Sequence, residues 1–443
     1  MNPRRWVLVG AVGALLVAVS SGPQPWFNAL GGAFRPPDFA QDLAAAQILI
    51  EGGNPYGPDF PPRHARIMRE PVEKGYPYFP HPPFAAALGA PFAPFGLPAA
   101  AALWFVISLV LVFVLAAALV RISSAGNARQ PGRRSWGLIC AAGVALLLWP
   151  PVLYNLEKGQ FSLLLAVLVA FAYHLLRRGR DQRAGLLLGC AAAIKVFPAL
   201  LAGYCVPRHR RALIWFIVSG IALTALPLAW LGPSSLVGFV AASDANVQYW
   251  QTWPAVTYSI YAAVARSFIG GRWASPLVHA PIAAHILLFF SYAALLVSML
   301  TATFRRAADE HEGGQFAGWI ILAVLLNPLS MGHNGALLAL PIVLIAQSSR
   351  DDARVWPKLA WAAGVILVSI PRQTIFALAP PPVTAIQGIA VVALPMWGAL
   401  FLFASCLACC TPGPIASSTQ WSDSPTTSGA SRRLSNDGRR IAV

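Results

Sequence analysis

Apolar runs long enough to cross a bilayer alternate with short polar breaks along most of this chain. A spanning helix needs ~20 mostly apolar residues, with a range of roughly 17–25. Ala99–Val120, Trp136–Tyr154, Leu213–Leu231, Ile282–Thr301 and Thr384–Ala408 reach that length. Phe161–Leu176 and Ala336–Ala346 are shorter and serve as spans once packed among neighbours. Further helical segments are predicted at 276–300, 316–331, 335–347 and 358–371. The runs are continuous, whereas a membrane barrel alternates apolar and polar positions in segments of about ten residues. The pattern therefore predicts an all-α integral membrane protein.

Met1 to Ser21 has Arg4 and Arg5 followed by an apolar run. This fits either a cleavable signal or a first helix that stays. The following Gly22-Pro23-Gln24-Pro25-Trp26 offers no clear Ala-x-Ala cleavage site, which favours the retained helix. Segment 184–206 poses a different problem, because basic clusters flank it on both sides. Phe197-Pro198 falls inside it, where proline stops a helix. Two short helices that enter and leave from one side resolve the conflict. Backbone of that kind is tolerated at membrane depth only when buried in protein or lining a wet cavity.

Composition agrees with the pattern. The chain is 57% hydrophobic with only 11% charged residues, against about 25% charge in ordinary soluble domains. The net charge of +16 does not imply nucleic acid, because its distribution sets orientation. The clusters Arg4/Arg5, Arg121–Arg134, Arg177–Arg183, Arg208–Arg211, Arg305/Arg306, Arg350–Lys358 and Arg432–Arg440, with their flanking loops, carry 22 of the 32 basic residues and 8 of the 16 acidic ones. The alternate loops carry 9 basic and 8 acidic residues. Positively charged loops stay cytoplasmic, so both termini are expected there. Loops 22–83 and 232–275 are then external. Residues 1–410 form one transmembrane domain, and the Ser-, Thr- and Arg-rich 411–443 a disordered cytoplasmic tail. None of the six cysteines falls in an external loop, which argues against a disulfide framework. The cluster Cys406-x-x-Cys409-Cys410 has no His or further Cys beside it and reads as inert.

Candidate chemistry concentrates in the first external loop. Asp38 and Asp42 are four residues apart and share one helix face. The bland reading makes Asp38 an N-cap and Asp42 a solvated first-turn acid; the functional one makes a carboxylate base at the mouth of a cavity. Tyr76-Pro77-Tyr78-Phe79-Pro80-His81-Pro82-Pro83 is a stiff aromatic approach to the membrane, in which a His is more often structural than catalytic. Lys195 lies inside an apolar segment, where a lysine costs ~2.5–3.5 kcal/mol on insertion scales and faces a polar cavity or a partner; the bland alternative is a snorkelling side chain. His333 follows Asn327-Pro328-Leu329-Ser330 near the external face. Arg372 could pair a phosphate or anchor a helix end.

Taken in order, these features resemble glycosyltransferase family 87, the polyprenyl-phosphate-sugar-dependent α-mannosyltransferases and arabinosyltransferases of the C-type membrane fold. Asp38-Phe39, Ala44–Ala46 and Gly52-Gly53-Asn54-Pro55-Tyr56 match its first motif. Tyr78–Pro83 matches its aromatic Tyr-x-Pro-Pro element and Gly159-Gln160 its Gly-Gln loop. Gly185 with Ile194-Lys195-Val196-Phe197-Pro198 matches a further motif, and Pro328–His333 a late one more loosely. The resemblance covers roughly residues 30–345. Met331, Ser162 and Asp42 depart from the usual aromatic, Asn and aromatic at their positions.

The resemblance implies a polytopic bundle of about 10–12 transmembrane helices with a large first external loop. It implies a polyprenyl-phosphate-linked sugar, most often mannose, as donor, and a lipid-linked or cell-envelope glycan as acceptor. On this reading Asp38 is the general base, and Lys195, His333 and Arg372 are candidates for the donor phosphate. Asp42, Tyr56, Tyr78, His81 and Gln160 are candidates for the cavity wall. Membrane lipid is the surrounding partner; no nucleic acid, metal or cofactor is called for. No nucleotide-binding fingerprint or Asp-x-Asp is present, as expected when the donor is a lipid phosphate. The rival reading is a transporter or flippase of a lipid-linked sugar, using the same cavity and Lys195 without covalent chemistry. The ~60-residue first loop weighs against it, since long loops are usually functional.

Overall fold

The computed structural model describes residues 35–74, 76–124, 133–253, 256–305, 312–350 and 352–410. The first helix, the middle of the Arg121–Arg134 loop and the C-terminal tail lie outside the described residues. The described chain is helical almost throughout, with one two-residue parallel pairing of Ala274–Ser275 with Val383–Thr384. The first loop supplies α1 (Pro37–Ile50), α2 (Phe60–Met68) and α3 (Pro83–Gly89). There follow α4 (Leu97–Ser124), α5 (Arg133–Leu148), α6 (Pro150–Lys158) and α7 (Ser162–Leu176). Next come α8 (Asp181–Ile194), α9 (Ala202–Arg208), α10 (Arg210–Leu231), α11 (Ser234–Trp250) and α12 (Ile260–Phe268). The last part holds α13 (Pro281–Phe304), α14 (Glu312–Leu326), α15 (Ala339–Ser348), α16 (Trp356–Val368), α17 (Arg372–Leu378), α18 (Ala385–Gln387) and α19 (Leu394–Cys409).

By length and apolarity α4, α10 and α13 can each cross a membrane alone. Three bent pairs can cross together: 136–148 with α6 at 69°, α16 with α17 at 81°, and 385–392 with α19 at 50°. Shorter apolar helices, α7 and α14 among them, are buried between these. The chain is a multi-pass membrane protein. Outward faces are apolar: Val106 and Val110 on α4, Ile221 on α10, and Ile282, Phe289 and Phe290 on α13 are all exposed. That is the surface a lipid solvent requires.

Two segments differ from the simple sequence picture. The predicted span 136–154 is broken at Trp149, because Pro150 and Pro151 follow it and proline suits the first turn of a new helix. Segment 184–206 is the entering-and-leaving pair expected, but its break comes at Lys195, whose backbone is extended (φ −142°, ψ 136°). A helix disfavours continuing into the residue before proline, so it ends before Phe197-Pro198, and a 3-10 turn, Phe197–Leu201, starts the return. The inward arm α8 is 14 residues, or ~21 Å at 1.5 Å per residue. The outward arm is five 3-10 residues plus seven α residues, again ~21 Å. The arms therefore finish level. His209 Nδ1 lies 3.1 Å from Asp181 Oδ1, so both ends of the hairpin sit on one side. Gly185 and Gly189 let α8 cross α10 backbone to backbone: a Cβ on either would collide with Ala212, Phe216 or Ser219. Small residues four apart are how membrane helices approach this closely.

The loops gather as the charge pattern requires. Arg177 binds Glu312 at 2.7 Å and His209 reaches both Asp181 and Glu312, so three of the loops assigned to one side meet. The first loop, the 155–160 turn and Asn327–Asn334 meet at the opposite end, around the cavity described next.

Candidate functional site

Helix α1 builds one wall. Its N-cap is Pro36, and no side chain caps it. The N-cap reading of Asp38 therefore fails: Asp38 lies inside the first turn and its carboxylate points elsewhere. Tyr76 Oη donates to Asp38 Oδ1 at 2.7 Å, and Gln160 Nε2 donates to Asp38 Oδ2 at 2.7 Å. Burial, and then the nearby Asp38 charge, push the Tyr76 phenol well above its usual range, so it remains a donor. His64 fixes Tyr76 in place. It stacks on the ring at 5.0 Å, its Nδ1 accepts from the Tyr76 backbone N–H at 3.2 Å, and its Nε2 approaches the Pro37 carbonyl at 3.4 Å.

Gln160 arrives from the turn between α6 and α7. Gly159 caps α6 with φ +70°, a conformation that glycine adopts without cost. A Cβ there would lie 2.6 Å from Phe39 Cβ and 3.0 Å from Pro36 Cβ. The Gly-Gln pair thus has two physical demands on its first member, and meeting them sets Gln160 against Asp38.

The tip of the hairpin closes the chain of contacts. Lys195 Nζ donates to Gln160 Oε1 at 2.7 Å and lies 3.4 Å from both His333 Nε2 and Asn334 Oδ1. Ser162 Oγ donates to Asn334 Oδ1 at 2.9 Å. His333 Nδ1 sits 3.9 Å from Asp38 Oδ2, too far for a hydrogen bond, and is unpartnered. A base candidate and a cation are therefore held on the two ends of one amide. They face a cavity of about 660 Å³. Its other walls come from α11, with Phe239, Asp244, Trp250 and Trp253 after it, and from Met331.

The other sequence candidates divide. His81 and Gln160 line the cavity. Asp42 is not a solvated acid but fully buried: His81 Nδ1 lies 2.6 Å from its Oδ1, and its Oδ2 has no partner. Burial pushes its carboxyl above the usual range against the opposing pull of His81. Tyr56 sits behind His81, donating to its carbonyl at 2.8 Å. Tyr78 contributes its backbone, with Gln41 Nε2 donating to its carbonyl at 2.7 Å, while the residue as a whole is 37% exposed. The chain bends at Pro77, so Tyr76 faces Asp38 and Tyr78 does not. Arg372 is not on the cavity. It pairs with Glu157 at 3.2 Å, stacks over Tyr154, and borders a smaller pocket beyond that ring. Among the cavity residues that the sequence candidates do not include, three stand beside them. Tyr76 was two residues from the position chosen. Lys158, beside the Gly-Gln turn, is a second cavity cation, 5.7 Å from the Tyr154 ring centroid. Asn334 follows His333 directly. Among the described residues no group of three or more His, Cys, Asp or Glu side chains could hold a metal ion.

Residues 79–328 match glycosyltransferase family 87. The chain belongs to that family. The family 87 match contains His81, Lys158, Gln160 and Lys195; Asp38, Tyr76 and His333 lie outside it. The chain is 28% identical over 304 residues, 65% of its own length, to a protein of Mycolicibacterium smegmatis named polyprenol-phosphate-mannose-dependent alpha-(1-2)-phosphatidylinositol mannoside mannosyltransferase. It is 31% identical over 179 residues, 39% of its length, to a protein of Mycobacterium tuberculosis with the same name. It spans 66% of the first of these relatives and 39% of the second. No solved structure matches it.

Proposed function

We propose that this chain transfers mannose from a polyprenyl-phosphate donor to a hydroxyl of a glycolipid or cell-envelope glycan, at the external face of the cell membrane. The names of the two relatives supply the donor and suggest a phosphatidylinositol mannoside as acceptor. The observation that carries the reading is the Asp38–Gln160–Lys195 chain on the cavity wall. Asp38 takes the acceptor proton as that oxygen attacks the anomeric carbon. The bond from that carbon to the phosphate oxygen breaks, and the phosphate leaves with the electron pair. Lys195 meets the charge that builds there, a preorganised cation in a water-poor site. Lys158, already on the cavity, is a better second cation than Arg372, which would first have to leave Glu157.

Purified protein supplied with polyprenyl-phosphate mannose and a phosphatidylinositol mannoside should form the extended glycolipid. Asp38→Asn keeps the shape and the incoming Gln160 bond, with Nδ2 donating to the Tyr76 hydroxyl in place of the bond Asp38 accepts there, but cannot take the proton, so turnover should fall ~10²-fold or more. Near wild-type transfer by that variant removes Asp38 as the base. Absence of transfer by the wild type from any polyprenyl-phosphate sugar overturns the activity itself.

A further inference from the structure

The pair Asp42–His81 has no part in the transfer step above, yet one end of it opens into the cavity. Asp42 is one helical turn beyond Asp38 on the same face of α1, about 5–6 Å away between Cβ atoms. It is fully buried, and its only hydrogen-bonding partner among the described residues is His81 Nδ1 at 2.6 Å. The imidazole is thereby oriented in the way a buried carboxylate orients a ligand or catalytic histidine. The backbone around it is fixed as well, by Tyr56 Oη on the His81 carbonyl and by Pro82 and Pro83 behind. His81 lines the cavity, and its Nε2 takes no hydrogen bond among the described residues. That nitrogen is a single, firmly held polar atom on the same cavity as Asp38.

We propose that His81 Nε2 binds a second hydroxyl of the acceptor sugar, so that the Asp42–His81 pair selects which hydroxyl is delivered to Asp38. Asp42 acts here as a positioning residue. The inference rests on the glycosyl-transfer reading for the word acceptor, but the binding site stands apart from it. A hydroxyl suits this atom better than a phosphate does. Any positive charge on the ring is offset by the carboxyl group 2.6 Å behind it, while Lys195 and Lys158 give the same cavity two cations for an anion. A hydroxyl also complements Nε2 in either protonation state, since it both donates and accepts. Two contacts on one ring fix its rotation, and a site built to bond a hydroxyl discriminates strongly against a sugar that lacks it.

The probe is octyl α-mannoside with its set of monodeoxy analogues, and binding is read from the fluorescence of Trp250 and Trp253 on the cavity wall. Wild-type protein should bind one deoxy analogue about 10-fold more weakly than the parent. His81→Asn keeps an N–H where Nδ1 was, so Asp42 stays paired, and deletes Nε2; it should bind parent and analogue alike. A variant that keeps the wild-type preference, or a wild type that does not bind the mannoside, overturns the proposal. Should the variant fold poorly, ¹⁵N-histidine spectra of the wild type decide: the mannoside must shift the His81 Nε2 resonance, and an unmoved resonance overturns the site. Binding that depends on His81 without any sugar transfer would refute the transferase reading and leave this site standing.

Discussion

The re-entrant hairpin has two ends that contrast in how completely they are bonded. At its root Glu312 is saturated: Tyr204 Oη and His209 Nε2 reach Oε1 at 3.0 and 3.3 Å, and Arg177 reaches Oε2 at 2.7 Å. His209 spends its other nitrogen on Asp181. At the tip Lys195 has one short bond and two of 3.4 Å, and His333 Nδ1 nearby has none. Buried polar groups are normally satisfied, and each exception needs a reason. The root is a closed network that anchors, whereas the tip keeps bonding capacity in reserve on a cavity wall. The same 29-residue segment is thus closed at one end and open to a cavity at the other.

Opposite substitution effects at the two ends would sharpen this contrast. Lys195→Met removes the cation and keeps the volume, so transfer should drop ~10²–10³-fold. Its melting temperature should hold or rise, because a buried charge with imperfect partners adds little stability. Glu312→Gln should do the reverse. It breaks charge-assisted bonds worth about 1.5–3 kcal/mol each, lowering the melting temperature while transfer per folded molecule stays within a few-fold. Equal loss of stability from both variants would remove the distinction between the ends.

Gly159→Ala tests the link from tip to base with a somewhat smaller effect. The new Cβ meets Phe39 and Pro36 in a left-handed conformation, so α1 or the turn must shift and Gln160 must part from Asp38. A loss of about 1–3 kcal/mol is expected, with transfer falling at least 10-fold, because a 1 Å misplacement costs on that scale or more. Unchanged transfer would mean that Gln160 does not couple Asp38 to Lys195.

Much of this was legible in the sequence, for identifiable reasons. Lys195 stood out because an isolated lysine in an apolar run needs a polar destination. The hairpin followed from two basic flanks that both belong on one side, and the contact between Asp181 and His209 bears this out. What could not be read was which side chains point inward along the irregular first loop. Tyr76 and Tyr78 differ by a bend at Pro77, which no periodicity reports. Asp42 looked like a solvated acid since its partner His81 is 39 residues away. Arg372 looked free because Glu157 lies 215 residues from it. Pairings across such distances are set by packing and leave no local pattern.

The smallest expected effect separates the two ends by pH. At the root, burial alone would lower the His209 pKa, but its hydrogen bonds to Glu312 and Asp181 raise it above the ordinary 6.5. A raised folded pKa means the folded protein holds the proton more tightly than the unfolded chain. This stabilisation is complete below 6.5 and is lost as pH rises through the higher folded value. On the cavity side His64 is the opposite case, with burial lowering its pKa below 6.5. Its contribution is complete above 6.5 and fades as pH falls towards the folded value, because protonation would take away the lone pair that Tyr76 N–H uses. Hydrogen exchange, corrected for its intrinsic pH dependence, should therefore change in opposite directions. Residues 181–209 should lose protection a few-fold between pH 6 and 8.5, and residues 60–80 between pH 7 and 5. His209→Gln and His64→Gln should each flatten only their own region. If both regions lost protection on the same side of neutrality, the assignment of an ionic anchor at the root and a neutral histidine behind the base would be wrong.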